Sequence, residues 1–255
     1  MAKTAFRDAV LDRLWSAQDK EYKKFDDRLT PGADPEMKIG VRKPALRAIA
    51  KDIVKGDFRK YINELPEKCY WEERLLHGMI TGYAKVGHSE WEEMIRDFVP
   101  YITDWSICDS VVTTQKRIKK EADMTWPLTL GYLRSKRPFD IRFGAIVCLD
   151  YYIDDTYTDL ILPEFVRISE SVTSRIPAEK LRLRKGEAPG DEYYTMMGCA
   201  WCLAECCAKF PEKAFAVLKS GRLDPVTQNK AIQKARESYR VSDENKTYLK
   251  TLKMI

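Results

Sequence analysis

Apolar residues recur along this 255-residue chain three and four positions apart, and almost nowhere at alternate positions. Phe6, Val10, Leu11 and Leu14 share one helical face, as do Leu46, Ile49, Ala50 and Ile53, then Leu75, Leu76, Met79, Ile80 and Tyr83. Proline and glycine punctuate the pattern at Pro31-Gly32, Pro66, Gly87, Pro100, Pro127, Pro138, Pro177, Pro189-Gly190, Pro211, Gly221 and Pro225. This predicts helices of about 10 to 18 residues, a dozen or so in all, and no sheet.

The helix pairs repeat at about 35 to 40 residues, the period of stacked helical hairpins of the HEAT or armadillo kind, which bury a continuous core between neighbours. The predicted fold is therefore an all-α superhelix of such hairpins with a concave basic groove; a compact all-α bundle is the alternative. No linker is long or biased enough to divide the chain, so residues 1–255 read as one domain. The stretch 173–190, TSRIPAEKLRLRKGEAPG, is the least regular and reads as a loop or insertion.

Composition narrows the function. With 44% hydrophobic and 33% charged residues, and 12 Gly and 12 Pro, the chain is neither disordered nor of low complexity. No run approaches the roughly 18 to 20 apolar residues of a membrane span, and MAKTAFRDAV lacks a signal-peptide core, so a soluble cytoplasmic protein is expected. Seven cysteines, an odd number in a chain this long, read as reduced thiols. Two histidines, His77 and His88, leave a His-rich metal site or a His-driven nucleophile array without its parts, although either one can still act alone. The net charge of +5 is unevenly spread. Residues 219–253 hold nine Lys or Arg against four Asp or Glu, and residues 113–137 hold seven against two, so the remainder is acidic. Basic segments on an acidic body suit an anionic partner, and solvated helix faces look the same.

Three helices carry residues that packing does not require. Around Trp105-Ser106-Ile107-Cys108-Asp109, Ile107, Cys108, Val111, Val112 and Ile118 fall on one side. Trp105 and Asp109 stack four apart on another, which Lys116 and Lys120 continue. Such a strip suits nucleic acid, lysines on phosphates and a ring on sugar or base; Asp104 as a helix cap with Trp105 partly packed is the plainer alternative. In Pro138–Tyr152, Arg142 flanks the apolar stripe Phe139, Phe143, Ile146 and Val147, where its stem can be buried and its fork presented outward to phosphate, or held in a salt bridge. In Tyr193–Phe210, Met196, Cys199, Cys202, Leu203, Cys206 and Phe210 form a stripe in which the cysteines read as inert core rather than as metal or redox ligands. Trp201 points the other way, toward another helix layer or a ligand.

Taken together these residues resemble the AlkD-like DNA alkylation repair family, HEAT-like proteins that act as DNA glycosylases. Trp105-Ser106-Ile107-Cys108-Asp109 looks like the family's Trp-x-x-x-Asp, Arg142-Phe143-Gly144-Ala145-Ile146 like its Arg with a small-apolar run, and Gly198-Cys199-Ala200-Trp201 like its later Trp helix. Gly40–Arg47 and Asn229–Ile232 are similar to further landmarks, so the resemblance spans roughly residues 35–240. It implies hydrolysis of the N-glycosidic bond of N3- or N7-alkylated purines without extruding the base, by a monofunctional enzyme without lyase activity, metal or organic cofactor. Asp109 would stabilise the oxocarbenium-like sugar and orient water. Trp105 and Trp201 would contact the deoxyribose, and Arg142, Lys116, Lys120, Lys230 and Lys234 would hold double-stranded DNA as a monomer. The family's N-terminal lesion-facing tyrosine has Phe25 as its nearest counterpart and Tyr22 a turn away. The 59 residues from Arg142 to Trp201 exceed the family spacing by about one helix, with 173–190 as the surplus. A non-catalytic DNA-binding HEAT protein and a protein–protein scaffold are the alternative functions.

Overall fold

The computed structural model describes residues 5–177 and 189–254, so most of the expected insertion at 173–190 lies outside the described residues. Among the described residues there are fifteen α-helices and no strand, only an isolated bridge between Gln18 and Val41. The all-α reading holds, although the helices run from 4 to 19 residues. No described helix is long and apolar enough to cross a membrane. The chain forms two compact units, Met1–Arg117 and Ile118–Ile255.

The first unit holds α1 (Ala5–Ser16), α2 (Lys20–Leu29), α3 (Lys43–Ile53), α4 (Phe58–Asn63), α5 (Trp71–Tyr83), α6 (His88–Phe98) and α7 (Trp105–Val112). α5 packs on α3 and α7, two elements away on either side, and on its sequence neighbour α6. That is the contact pattern of stacked hairpins, in which alternate helices form a layer. Gly40, at φ +95°, turns the chain so that the amides of Ile39, Gly40 and Val41 all donate to the Glu72 carboxylate at 2.9, 2.7 and 3.2 Å. This clamp sets the start of α3 against the start of α5.

α5 and α7 approach closely because α5 has glycines one turn apart, Gly78 and Gly82, facing Val111 and Thr114. A Cβ at position 82 would lie 2.8 Å from the Thr114 carbonyl oxygen, which cannot swing aside. Gly82→Ala is expected to lower the unfolding free energy by about 2 kcal/mol, the usual cost of overpacking, in a urea titration. An unchanged midpoint would mean that the seam is looser than this geometry.

The second unit contains α9 (Ala122–Leu133), α10 (Pro138–Val147), α11 (Thr158–Thr173), α12 (Asp191–Lys209), α13 (Pro211–Lys219), α14 (Pro225–Glu237) and α15 (Asp243–Thr251); α8 (Arg117–Lys120) starts at the unit boundary. The same pattern returns: α12 packs on α10 and α14, α9 on α10, and α12 on α13. Its core is the stripe read from sequence, Phe139, Phe143, Ile146 and Val147 against Met196, Cys199, Cys202, Leu203 and Cys206, all buried; Phe210 is half-buried. Pro127, read as punctuation, instead lies inside α9.

Candidate nucleic-acid interface

Asp104 builds the start of α7. Its Oδ1 accepts from the amides of Ser106 and Ile107 at 2.8 and 3.0 Å, and its Oδ2 from Trp71 Nε1 at 2.6 Å. Ile107, Cys108, Val111 and Val112 are buried, which leaves Trp105 and Asp109 half-exposed on the other side. The Trp105 indole donates to the Leu29 carbonyl at 3.0 Å, capping the end of α2 and tying its ring to that helix. On α2, Phe25 is exposed, while Tyr22 is half-buried with its hydroxyl donating to Asp26 at 3.2 Å and its ring 5.1 Å from the Arg42 guanidinium. Burial beside Asp26 pushes the Tyr22 phenol well above its usual range, so it remains a neutral donor.

Lys116 and Lys120 do not continue the Trp105–Asp109 face. α7 stops at Val112 because Gln115 is drawn inside: its amide donates to the Gly78 carbonyl at 3.0 Å and accepts from Trp91 Nε1 at 3.1 Å. Lys116 lies in the turn that follows and Lys120 in α8, both exposed.

A polar layer unread in the sequence lies beneath α7. Lys38 is buried, bonded to Asp26 and to the Thr30 hydroxyl, with its ammonium 4.5 Å from the Trp71 ring centre. Lys43 sits 4.0 Å over the same ring and donates to Ser106 Oγ at 3.1 Å. Burial lowers its ammonium to about 8. One turn along α3, Arg47 donates to the Tyr83 hydroxyl at 3.2 Å and to Thr113 Oγ1 at 2.9 Å. Two side chains of α3 thus reach across α5 to α7 and its C-cap, and Asp109 falls in sequence between the residues they contact, Ser106 in α7 and Thr113 just past its end.

In the second unit Arg142 is buried, 4% exposed, and its Nη1 donates to the Tyr194 carbonyl at 2.5 Å. The outward fork expected from its flanking position is therefore corrected: the guanidinium lies along Gly198 and joins α10 to α12. Trp201 is 39% exposed, with the Lys234 ammonium 5.4 Å from its ring centre. It lines a surface hollow of about 480 Å³ with Tyr239, Arg240 and Glu205. Lys230, on the same helix as Lys234, donates to Gln233 at 2.9 Å. Part of the basic excess is already matched, Arg134 by Glu164, Arg222 by Glu170 and Arg240 by Glu205.

All seven cysteines are buried thiols. Burial raises Cys199 to about 12 and pushes Cys148 and Cys202 well above the usual thiol range, as expected of packed core. Of the histidines, His77 is enclosed by Phe98 and Tyr101, and His88 lies at the start of α6, 3.6 Å from Glu92.

The half-exposed tryptophan and carboxylate of α7 also lie within a stretch with known relatives: the family model described as DNA alkylation repair enzyme matches residues 8–186. The chain belongs to that family. The matched stretch begins earlier than the resemblance read above and ends before Trp201, Lys230 and Lys234; Trp105, Asp109 and Arg142 fall within it. Neither a curated protein nor a solved structure matches the chain.

Proposed function

We propose that this DNA alkylation repair protein is a glycosylase that hydrolyses the N-glycosidic bond of N3- and N7-alkylated purines in double-stranded DNA. Alkylation at these nitrogens makes the base cationic and already a good leaving group. The remaining barrier is the positive charge that develops on the sugar and the delivery of water. The supporting observation is Asp109, held half-exposed on a short capped helix beside Trp105, a site for an anion that is partly withdrawn from solvent without being sealed away.

In this reading Asp109 stabilises the oxocarbenium-like sugar and positions the water that attacks C1′. Trp105 lays its ring against the deoxyribose, with Phe25 and Tyr22 near it on α2. Lys116, Lys120, Lys230 and Lys234 meet phosphates and Trp201 offers a second ring face, while Arg142 holds the α10–α12 seam that carries Trp201. The chemistry ends at the abasic site, with no lyase step, and calls for no cofactor.

The test is release of 7-methylguanine and 3-methyladenine from methylated duplex DNA by the purified full chain, followed by chromatography. Time-dependent release proportional to protein is expected. Binding without release would replace this reading by that of a non-catalytic DNA-binding protein, and neither binding nor release by that of a scaffold.

A further inference from the structure

In the first unit five arginines are neutralised directly: Arg7 by Glu73, Arg13 by Asp52, Arg42 by Asp19, Arg59 by Glu90 and Arg96 by Glu92. Lys43, Arg47 and Lys51 follow each other at four-residue spacing along α3, and among the described residues none of the three makes an ion pair with a carboxylate. Their partners are neutral: the Ser106 hydroxyl and the Trp71 ring for Lys43, the Tyr83 and Thr113 hydroxyls for Arg47, and the Tyr83 ring, 5.3 Å away, for Lys51.

Such partners orient a cation without pairing it, although Asp26, Asp104 and Glu72 act on the Lys43 ammonium from a distance. A hydroxyl accepts one N–H, and an aromatic face offers a quadrupole rather than a counter-ion. Three like charges about 6 Å apart on one helix row repel one another, and a purely structural role would be better served by the carboxylates used elsewhere in the unit. The row spans about 12 Å, too long for a single phosphate and suited to a polyanion.

From this we infer that Lys43, Arg47 and Lys51 form a phosphate track that holds the sugar-phosphate backbone of a DNA strand alongside Asp109. The inference rests on the reading of this protein as DNA-directed and adds a binding surface to it. Lys43 bonds Ser106 in α7 and Arg47 bonds Thr113 just past its end, contacts that flank Asp109, so a strand on this track passes the carboxylate. Each phosphate so neutralised releases condensed counter-ions, which makes the track's contribution readable in the salt dependence of affinity, separately from any chemistry.

The experiment compares the full chain, the variant K43Q/R47Q/K51Q and a charge-matched control, K24Q/R59Q/R96Q, whose cations are paired with carboxylates. Affinity for an undamaged fluorescent duplex is measured by anisotropy between 50 and 200 mM salt. The track variant is expected to lower the slope of log K against log salt by about 2.7, or 0.9 for each phosphate, so that its affinity changes about 40-fold less across that range. The control should keep the original slope. Single variants each lower it by about 0.9 and Lys43→Arg leaves it unchanged, which covers the case of a poorly folded triple variant. Folded variants with the original slope would overturn the track. A chain that binds DNA through the track but releases no base would overturn the glycosylase reading alone; a chain that releases base with an unaltered slope in the variants would overturn the track alone.

Discussion

Asp109→Asn is expected to reduce release of 7-methylguanine by about a hundredfold or more, while affinity for the duplex stays within about twofold. Asparagine has the same shape and keeps the helix, so the change isolates the charge. In the transition state the departing base takes the bonding electrons and loses its positive charge, and the sugar gains one. A fixed anion nearby stabilises that state far more than the ground state, and a half-buried position strengthens the effect relative to open solvent. Activation of the attacking water weakens as well: the amide oxygen can still accept a hydrogen bond from it but is too weak a base to take its proton. Binding responds differently, since a carboxylate close to phosphates opposes association, and its loss does not weaken a phosphate interface. Single-turnover rates and anisotropy on one DNA preparation separate the two effects. Near-normal release by Asp109→Asn would remove Asp109 from the chemistry.

The second large effect is on stability. His77 is 2% exposed, its ring stands edge-on to Phe98 and Tyr101, and neither ring nitrogen has a hydrogen-bond partner among the described residues. Burial lowers its imidazole from 6.5 to about 4. The native ring therefore refuses a proton that the unfolded chain accepts. Its contribution to stability is fully present above pH 6.5 and is lost as the pH falls through 4, about 3 kcal/mol in all. His77→Phe should lose about 3 kcal/mol less stability than the parent chain between pH 7 and 3.5 in urea titrations. Parallel pH profiles would show that the buried ring is not what makes the fold acid-sensitive. The seam that His77 occupies lies at the α5–α6 contact, away from the α3–α7 face, so DNA affinity at neutral pH should not change.

How much of this was legible in the sequence depends on the kind of interaction. Burial was: Ile107, Cys108, Val111 and Val112 declare their face by spacing alone, and Asp104 declares itself as a cap by preceding them. The end of α7 was not, because it is set by Gln115 reaching the Gly78 carbonyl across 37 residues, and periodicity carries no information about such a contact. The strip from Trp105 to Lys120 was drawn too long for that reason. The direction of Arg142 was not legible for the same reason, its position beside an apolar stripe being equally good for an inward guanidinium that bonds the Tyr194 carbonyl 52 residues away. The row Lys43, Arg47 and Lys51 was visible as a four-residue spacing, but one lysine or arginine looks like another until its partners are known. Lys38 gave no sequence signal of the buried pair it makes with Asp26.

The buried cysteines have a consequence of their own for a protein that deals with alkylation damage. The electrophiles that methylate purines also attack thiolates, and a protein working among them risks being consumed by the same reagents. Here five of the seven sulfurs, Cys69, Cys148, Cys199, Cys202 and Cys207, are held in the protonated, unreactive form by burial, and all seven are out of reach of solvent. The thiols of the folded chain are thus shielded from the agents whose products its family repairs, and they lose that protection only by opening, so the rate at which a thiol reagent labels them reports how often the helices part.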